Sequence, residues 1–175
     1  LNELRSHIAV IFQETFLFSA SVAENIAFGR PDASREEIER CARAAQAHEF
    51  ISELANGYNT MIGERGVTLS GGQKQRLAIA RAFVTDPRII IMDDATASVD
   101  SRTERLIQEA LRELYKGRTT FIIAHRLSTV QHAHQIIVLD RGRVVQQGRH
   151  AELAAQPGIY QSLFGLEETL ETSVR

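Results

Sequence analysis

The chain has 175 residues, 43% hydrophobic and 24% charged, with 20 basic against 22 acidic side chains and a net charge of −2. That composition is globular and excludes a disordered tail, a collagen-like repeat and a disulfide scaffold. It also offers no like-charge block, no tryptophan and no basic stripe interleaved with aromatics for holding nucleic acid.

One cysteine, Cys41, cannot form an internal disulfide, so a reducing cytosolic setting is the simple reading. Apolar runs such as Ile89 to Met92 and Ile136 to Leu139 are far shorter than the roughly 20 residues a membrane span needs. The start, Leu1-Asn2-Glu3-Leu4-Arg5, is not a signal peptide and is not Met, so the chain reads as an excerpt of a longer one.

In chain order, Ile8 to Phe12 predicts a strand ending at Gln13, and Ser21 to Ala27 a short helix broken by Gly29-Arg30-Pro31. Ser34 and Glu37 form a capping box for a helix carrying Ile38, Cys41, Ala42 and Ala45 at helical spacing. A further helix runs from about Ala47 to Leu54, with Gly57 as its stop. Leu69-Ser70-Gly71-Gly72-Gln73 opens a helix to about Val84, ended by Asp86-Pro87.

From there short apolar strands alternate with helices. Arg88 to Asp93 predicts a buried strand, and Ser101 with Glu104 a capping box for a helix closed by Gly117. Thr119 to Ala124 is the next strand. Gln135 to Asp140 and Arg143 to Gln147 are joined through Arg141-Gly142 as a hairpin. Short helices near His150 to Ala155 and Ile159 to Leu166 finish the chain. Residues 14–86 thus read as helical and 87–150 as α/β.

Three places carry chemistry. In Leu69 to Gln73, two glycines allow close backbone approach, Ser70 supplies a hydroxyl, and the N–H groups of the helix that follows favour an anion, phosphate above all. An N-cap and turn without a ligand is the alternative. The strand Ile89 to Met92 delivers Asp93 and Asp94 at its C-terminal end, where open α/β sheets place ligand chemistry. Asp93 would hold Mg²⁺ and Asp94 would face an attacking water. A strand-end acidic pair capping a turn is the competing reading. His125 ends a strand of the same type and suits a phosphate contact or the positioning of a water. His7, His48, His132, His134 and His150 read as surface residues, since no metal-ligating His motif occurs.

Taken in order and spacing, Gln13, Leu69 to Gln73, Ile89 to Asp94, Ser98-Val99-Asp100 and His125 resemble the nucleotide-binding domain of an ABC transporter. Phe16-Leu17-Phe18, Glu24-Asn25-Ile26 and Gly63-Glu64-Arg65-Gly66 are similar to segments of ABC exporters. The resemblance implies an α/β fold: a P-loop NTPase (RecA-like) core with an inserted α-helical subdomain, the N-terminal part of the core absent. Residues 1–13 would close a core strand and form the Q-loop, 14–86 the helical subdomain, and 87–175 the rest of the core.

The roles it implies are specific. Gln13 is the Q-loop glutamine, touching Mg²⁺ and the attacking water and sensing the transmembrane domain. Leu69, Ser70, Gly71, Gly72 and Gln73 are the signature motif, closing over ATP held by the opposite subunit. Asp93 is the Walker B aspartate, Asp94 the catalytic carboxylate, Asp100 the D-loop aspartate and His125 the switch histidine. Glu64 and its neighbours face the coupling helices of the membrane domains. ATP and Mg²⁺ are the implied cofactors. The implied partners are a second nucleotide-binding domain and the transmembrane domain of the same polypeptide, with no nucleic acid, at the cytoplasmic face of the cell membrane.

Two departures qualify this. The loop Gly-x-x-x-x-Gly-Lys-Ser/Thr is absent; the near miss Gly142 to Gly148 has five intervening residues and is followed by Arg149. The chain alone is therefore expected neither to bind ATP tightly nor to hydrolyse it. And Asp94 stands where most of the family has Glu. One methylene less can displace a catalytic group by about 1 Å, worth on the order of 10²-fold in rate, unless the water shifts to suit it. Exporters with Asp here resemble the degenerate-site half of a heterodimer, in which one composite site hydrolyses slowly while the other does the work. The intact signature motif of this chain would complete the site whose Walker motifs come from a different half-transporter. A non-transport ABC ATPase and a catalytically weak allosteric half are the rival readings.

Overall fold

A computed structural model describes residues 2–63, 69–93, 100–124, 126–163 and 165. It forms two compact units, 1–123 and 124–175.

The first unit opens with a short helix, α1 (Asn2–Ser6), which the sequence reading did not anticipate, and strand β1 (Ile8–Ile11). Helices α2 (Val22–Ala27), α3 (Arg35–Ala44) and α4 (His48–Glu53) follow, then a 3₁₀ turn at Gly57–Asn59 and the long helix α5 (Gly71–Thr85). Strand β2 (Ile89–Asp93), helix α6 (Ser101–Tyr115) and strand β3 (Thr119–Ile123) complete it. The strands are parallel in the order β1-β2-β3, with Ile11 beside Met92 and Met92 beside Ile122.

Alternation along the strands sorts the side chains. Ile11, Ile90 and Met92 enter a core shared with Leu77, Ile79, Ile107 and Leu111 of α5 and α6. The neighbouring positions put Val10, Phe121 and Ile123 on the other face, where they are exposed within the described residues. Parallel sheets normally bury both faces, so only half of this sheet's apolar surface is covered by these residues. Cys41 lies buried in the core of the unit, where desolvation pushes its thiol pKa up.

Helix ends follow local chemistry. Ser21 and Glu24 cap α2 reciprocally, and Ser34 and Glu37 do the same for α3. Helix α5 stops at Asp86-Pro87, but Asp86 is left-handed (φ 44°, ψ 58°) instead of extended. Arg118 explains why: it donates to the Asp86 carboxylate at 2.7 Å, to Pro87 O at 2.9 Å and to Leu114 O at 2.7 Å, pinning the corner between α5 and β2 to the end of α6. Gly57 does not stop α4. Leu54 caps that helix, and Gly57 takes a positive φ of 51° inside the 3₁₀ turn.

The second unit contains α7 (Leu127–Val130), also unanticipated, and the antiparallel hairpin of β4 (Ile136–Asp140) and β5 (Arg143–Gly148). Arg141 and Gly142 at its turn both have positive φ, the geometry that suits the twist of a two-residue hairpin. Ile136 and Val138 pack with Leu153 of α8 (His150–Ala154) and with Tyr160.

Two of the histidines read as surface residues differ from that expectation. His48 and His150 are half-buried and hydrogen-bonded to Tyr58 Oη at 2.8 Å and Tyr160 Oη at 2.9 Å, because each tyrosine is buried and its hydroxyl requires a partner. His7, His132 and His134 are exposed. No described helix is long and apolar enough to cross a membrane.

Candidate active site

Parallel pairing sends the C-terminal ends of all three strands of the first unit to one edge. Asp93 is the last residue of β2, half-buried and opposite Ile123 in register. Gln13 follows β1 at the same edge and is exposed. These two predicted site residues are therefore brought together. Asp94, Ser98, Val99 and His125 lie outside the described residues, as do Glu64, Arg65 and Gly66.

The segment Leu69 to Gln73 is built differently. Leu69 is buried and anchors the approach to α5, whereas Ser70 and Gly71 are exposed. Ser70 caps the helix: its Oγ accepts from Gln73 N at 3.3 Å, and the Gln73 side chain accepts from Ser70 N at 2.9 Å. The cap occupies one of the orphan N–H groups of the first turn; Gly71 and Gly72 N–H bond no described residue. A Cβ placed on Gly71 would meet no described atom within 4 Å. Packing among the described residues thus gives no reason for glycine there, although glycine weakens a helix relative to alanine by up to about 1 kcal/mol. Gly72 is buried and Gly71 exposed, so among the described residues it is the Gly71 N–H, beside open space, that a phosphate could approach closely.

Asp100 corrects the expected cap of α6. The N-cap is Asp100, not Ser101: its Oδ1 accepts from Thr103 N at 3.0 Å, and Ser101 is already the first helical residue. The Thr103 side chain, then its backbone N–H, holds the Asp100 carboxyl below the usual aspartate range. Asp beats Ser here because a carboxylate also suits the positive end of the helix dipole.

Three residues matter to this architecture in ways the sequence motifs did not signal: Arg76 and Arg81 carry no motif, and Asn25 stands out only as part of the exporter-like Glu24-Asn25-Ile26. Arg76, one turn into α5, is buried. It donates to Gly72 O at 3.3 Å and to Gln46 O at 2.6 Å, with its guanidinium over the Phe50 ring at 4.8 Å. Burial lowers its pKa, while the charges of Glu49 and Asp100 oppose that shift. Arg76 thereby anchors the first turn of α5 to the corner between α3 and α4, with Asp100 near enough for its charge to be felt. Asn25 is buried and stitches the chain after Gln13: its Oδ1 accepts from Phe18 N at 2.9 Å, and its Nδ2 donates to Phe18 O at 3.0 Å and Ser21 O at 3.1 Å. Arg81 grips the same segment from α5. The available signal was two arginines and an asparagine at positions whose helical phase points inward.

Residues 1–97 match the family model described as ABC transporter. The chain belongs to the ABC transporter family. It is 54% identical over 167 residues to the uncharacterized ABC transporter ATP-binding protein YknU of Bacillus subtilis, covering 95% of this chain and 28% of that protein. It is 55% identical over 171 residues to the ATP-dependent lipid A-core flippase of Pseudomonas aeruginosa, covering 96% and 28%. Among solved structures, a bacterial Atm1-family ABC exporter with ATP bound superposes with a TM-score of 0.87 at 43% identity, covering 95% of this chain and 29% of that one. The α/β fold of this ABC family chain is thus the fold of an exporter's P-loop NTPase region. The chain spans under a third of the length of these relatives.

Proposed function

We propose that this chain forms most of the ATP-binding domain of an ABC exporter, in which ATP binding and hydrolysis drive movement of a substrate across a membrane. The observation that carries this reading is the N-terminus of α5, where Gly71 and Gly72 N–H bond no described residue and the space beside Gly71 is open. An ATP held by a second nucleotide-binding domain would place its phosphates there. The Ser70 hydroxyl, which accepts from Gln73 N, keeps its own proton to donate to a phosphate oxygen.

On the strand edge, Asp93 and Gln13 offer oxygen ligands of the hard kind that Mg²⁺ takes. The described residues contain no group of three or more potential metal-ligating side chains. That fits Mg²⁺, which is usually held by one or two carboxylates together with substrate phosphates. When bound, the ion would neutralise charge developing on the transferred phosphoryl group. Gln13 and Asp94 would orient the attacking water, and His125 would donate to the γ-phosphate. Asp100 would meet the opposite domain at the shared site. Residues 14–86 would act as the helical subdomain that carries the signature motif, the remainder belonging to the core.

The phosphate loop is not among these 175 residues, so the chain by itself is assigned neither tight ATP binding nor turnover. Its working partners would be a second nucleotide-binding domain and the transmembrane domain of its own polypeptide, at the cytoplasmic face of the membrane. Asp94 favours a degenerate-site half paired with a different half-transporter, and it also favours the reading of a catalytically weak allosteric half. Nucleotide trapping by vanadate in the full-length pair, before and after Asp94→Glu, tests these. Degeneracy predicts a rise in trapping and turnover at this site with Glu, and no change in either would refute it.

A further inference from the structure

Arg81 lies on the second half of α5 and is half-buried, and this desolvation lowers its pKa. It makes no ion pair with any described carboxylate. Its fork is instead spent on backbone and amide oxygens of a different part of the chain. Nε donates to Asn25 O at 2.9 Å, Nη2 to Asn25 Oδ1 at 3.3 Å, and Nη1 to Phe16 O at 3.3 Å. The guanidinium also lies 5.6 Å from the Phe18 ring centroid and 5.7 Å from that of Phe28. Those two rings stack at 4.1 Å, and Phe16 meets Phe18 edge-on at 5.0 Å.

A half-buried guanidinium without a carboxylate still gives up hydration, and an apolar side chain would pack a helix at less expense. What the charge secures is connection. Its three hydrogen bonds and two aromatic faces all belong to residues 16–28, the stretch directly after Gln13. The same helix begins with Ser70-Gly71-Gly72. We propose that Arg81 is a positioning residue that fixes the segment following Gln13 to the signature helix, so that the two move as one body. This rests on the roles given above to Gln13 and to Leu69–Gln73. Lysine cannot replace it, because an ammonium presents a single charged point where the site uses a planar fork.

The test uses the full-length polypeptide assembled with its partner half-transporter in lipid nanodiscs, as wild type, Arg81→Lys and Arg81→Met. Nucleotide-binding sites are counted by equilibrium binding of a fluorescent ATP analogue, and ATPase turnover is expressed per site. Deuterium uptake is followed in peptides covering residues 13–20 and 35–44. We expect turnover per site to fall at least fivefold in Arg81→Lys, with analogue affinity within twofold of wild type. Uptake should be faster across 13–20 and unchanged across 35–44. A purely structural arginine would reduce the number of sites and leave turnover per site intact, and that result overturns the proposal. So does unchanged uptake across 13–20. If Arg81→Met does not fold, Arg81→Lys decides alone. A wild-type pair without ATPase activity would refute the underlying reading, and the exchange measurement would still judge Arg81.

Discussion

Replacing Gly71 by alanine separates a glycine kept for a ligand from a glycine kept for the fold. In this chain the added methyl meets no described atom within 4 Å, at an exposed first helical position. The fold should therefore tolerate alanine, and the better helix propensity should stabilise α5 by up to about 1 kcal/mol. For a domain of this size that corresponds to a rise in melting temperature of about 2–4 °C. A phosphate seated on the Gly71 N–H would instead be displaced by the methyl. Misplacement by about 1 Å costs on the order of 10²-fold in turnover. The assay pairs thermal unfolding of the full-length polypeptide with ATPase turnover per nucleotide-binding site. Unchanged or raised stability with turnover reduced at least tenfold is the expected outcome. Turnover within twofold of wild type would reduce Gly71 to an ordinary cap residue and refute the phosphate assignment. Lost stability would refute the packing argument.

Two further outcomes follow from the helix caps and the stitch at residue 25. Asn25→Ala removes both partners of the part-buried Phe18 backbone and should cost about 2–6 kcal/mol at the upper bound of full burial, toward the low end here, since each unsatisfied buried group costs about 1–3 kcal/mol; thermal unfolding of the full-length polypeptide measures it, and a change below about 1 kcal/mol contradicts the role given to Asn25. The Asp100 carboxyl is held below its ordinary range by Thr103, so its capping contribution is present above the unfolded-state pKa and is lost as pH falls through the lowered native value. The extra protection of α6 in wild type over Asp100→Asn, followed by amide exchange at each pH, should hold steady near neutrality and shrink only on the acid side, and a pH-independent difference would refute the linkage.

Much of the architecture is legible locally. Ser34 with Glu37 marks the start of α3, Asp86-Pro87 the end of α5, and Arg141-Gly142 the hairpin turn, because each depends on backbone donors and dihedrals within a few residues. The strand ends carrying Gln13 and Asp93 were legible for the same reason. Where two local signals competed, the reading went astray. Asp100 and Ser101 are both good caps, and the carboxylate, better suited to the positive end of the helix dipole, takes the N-cap. His48 and His150 resembled surface residues because nothing nearby in sequence announces Tyr58 and Tyr160 as their partners.

By itself the sequence determined the family, the order of the strands and helices, and the residue types at the strand ends and at the start of α5. These are matters of motif, spacing and short-range hydrogen bonding. Only the tertiary structure decided which polar residues are turned inward. Asn25, Arg76 and Arg81 are ordinary helix-compatible residues until packing places the backbone oxygens of Phe18, Gln46 and Phe16 in front of them. Tertiary structure also decided that, among the described residues, Gly71 faces open space and Val10, Phe121 and Ile123 share an uncovered sheet face. The physical reason is range. A cap or a turn is settled within one turn of chain, whereas burial and the partners of a buried charge depend on segments tens of residues apart.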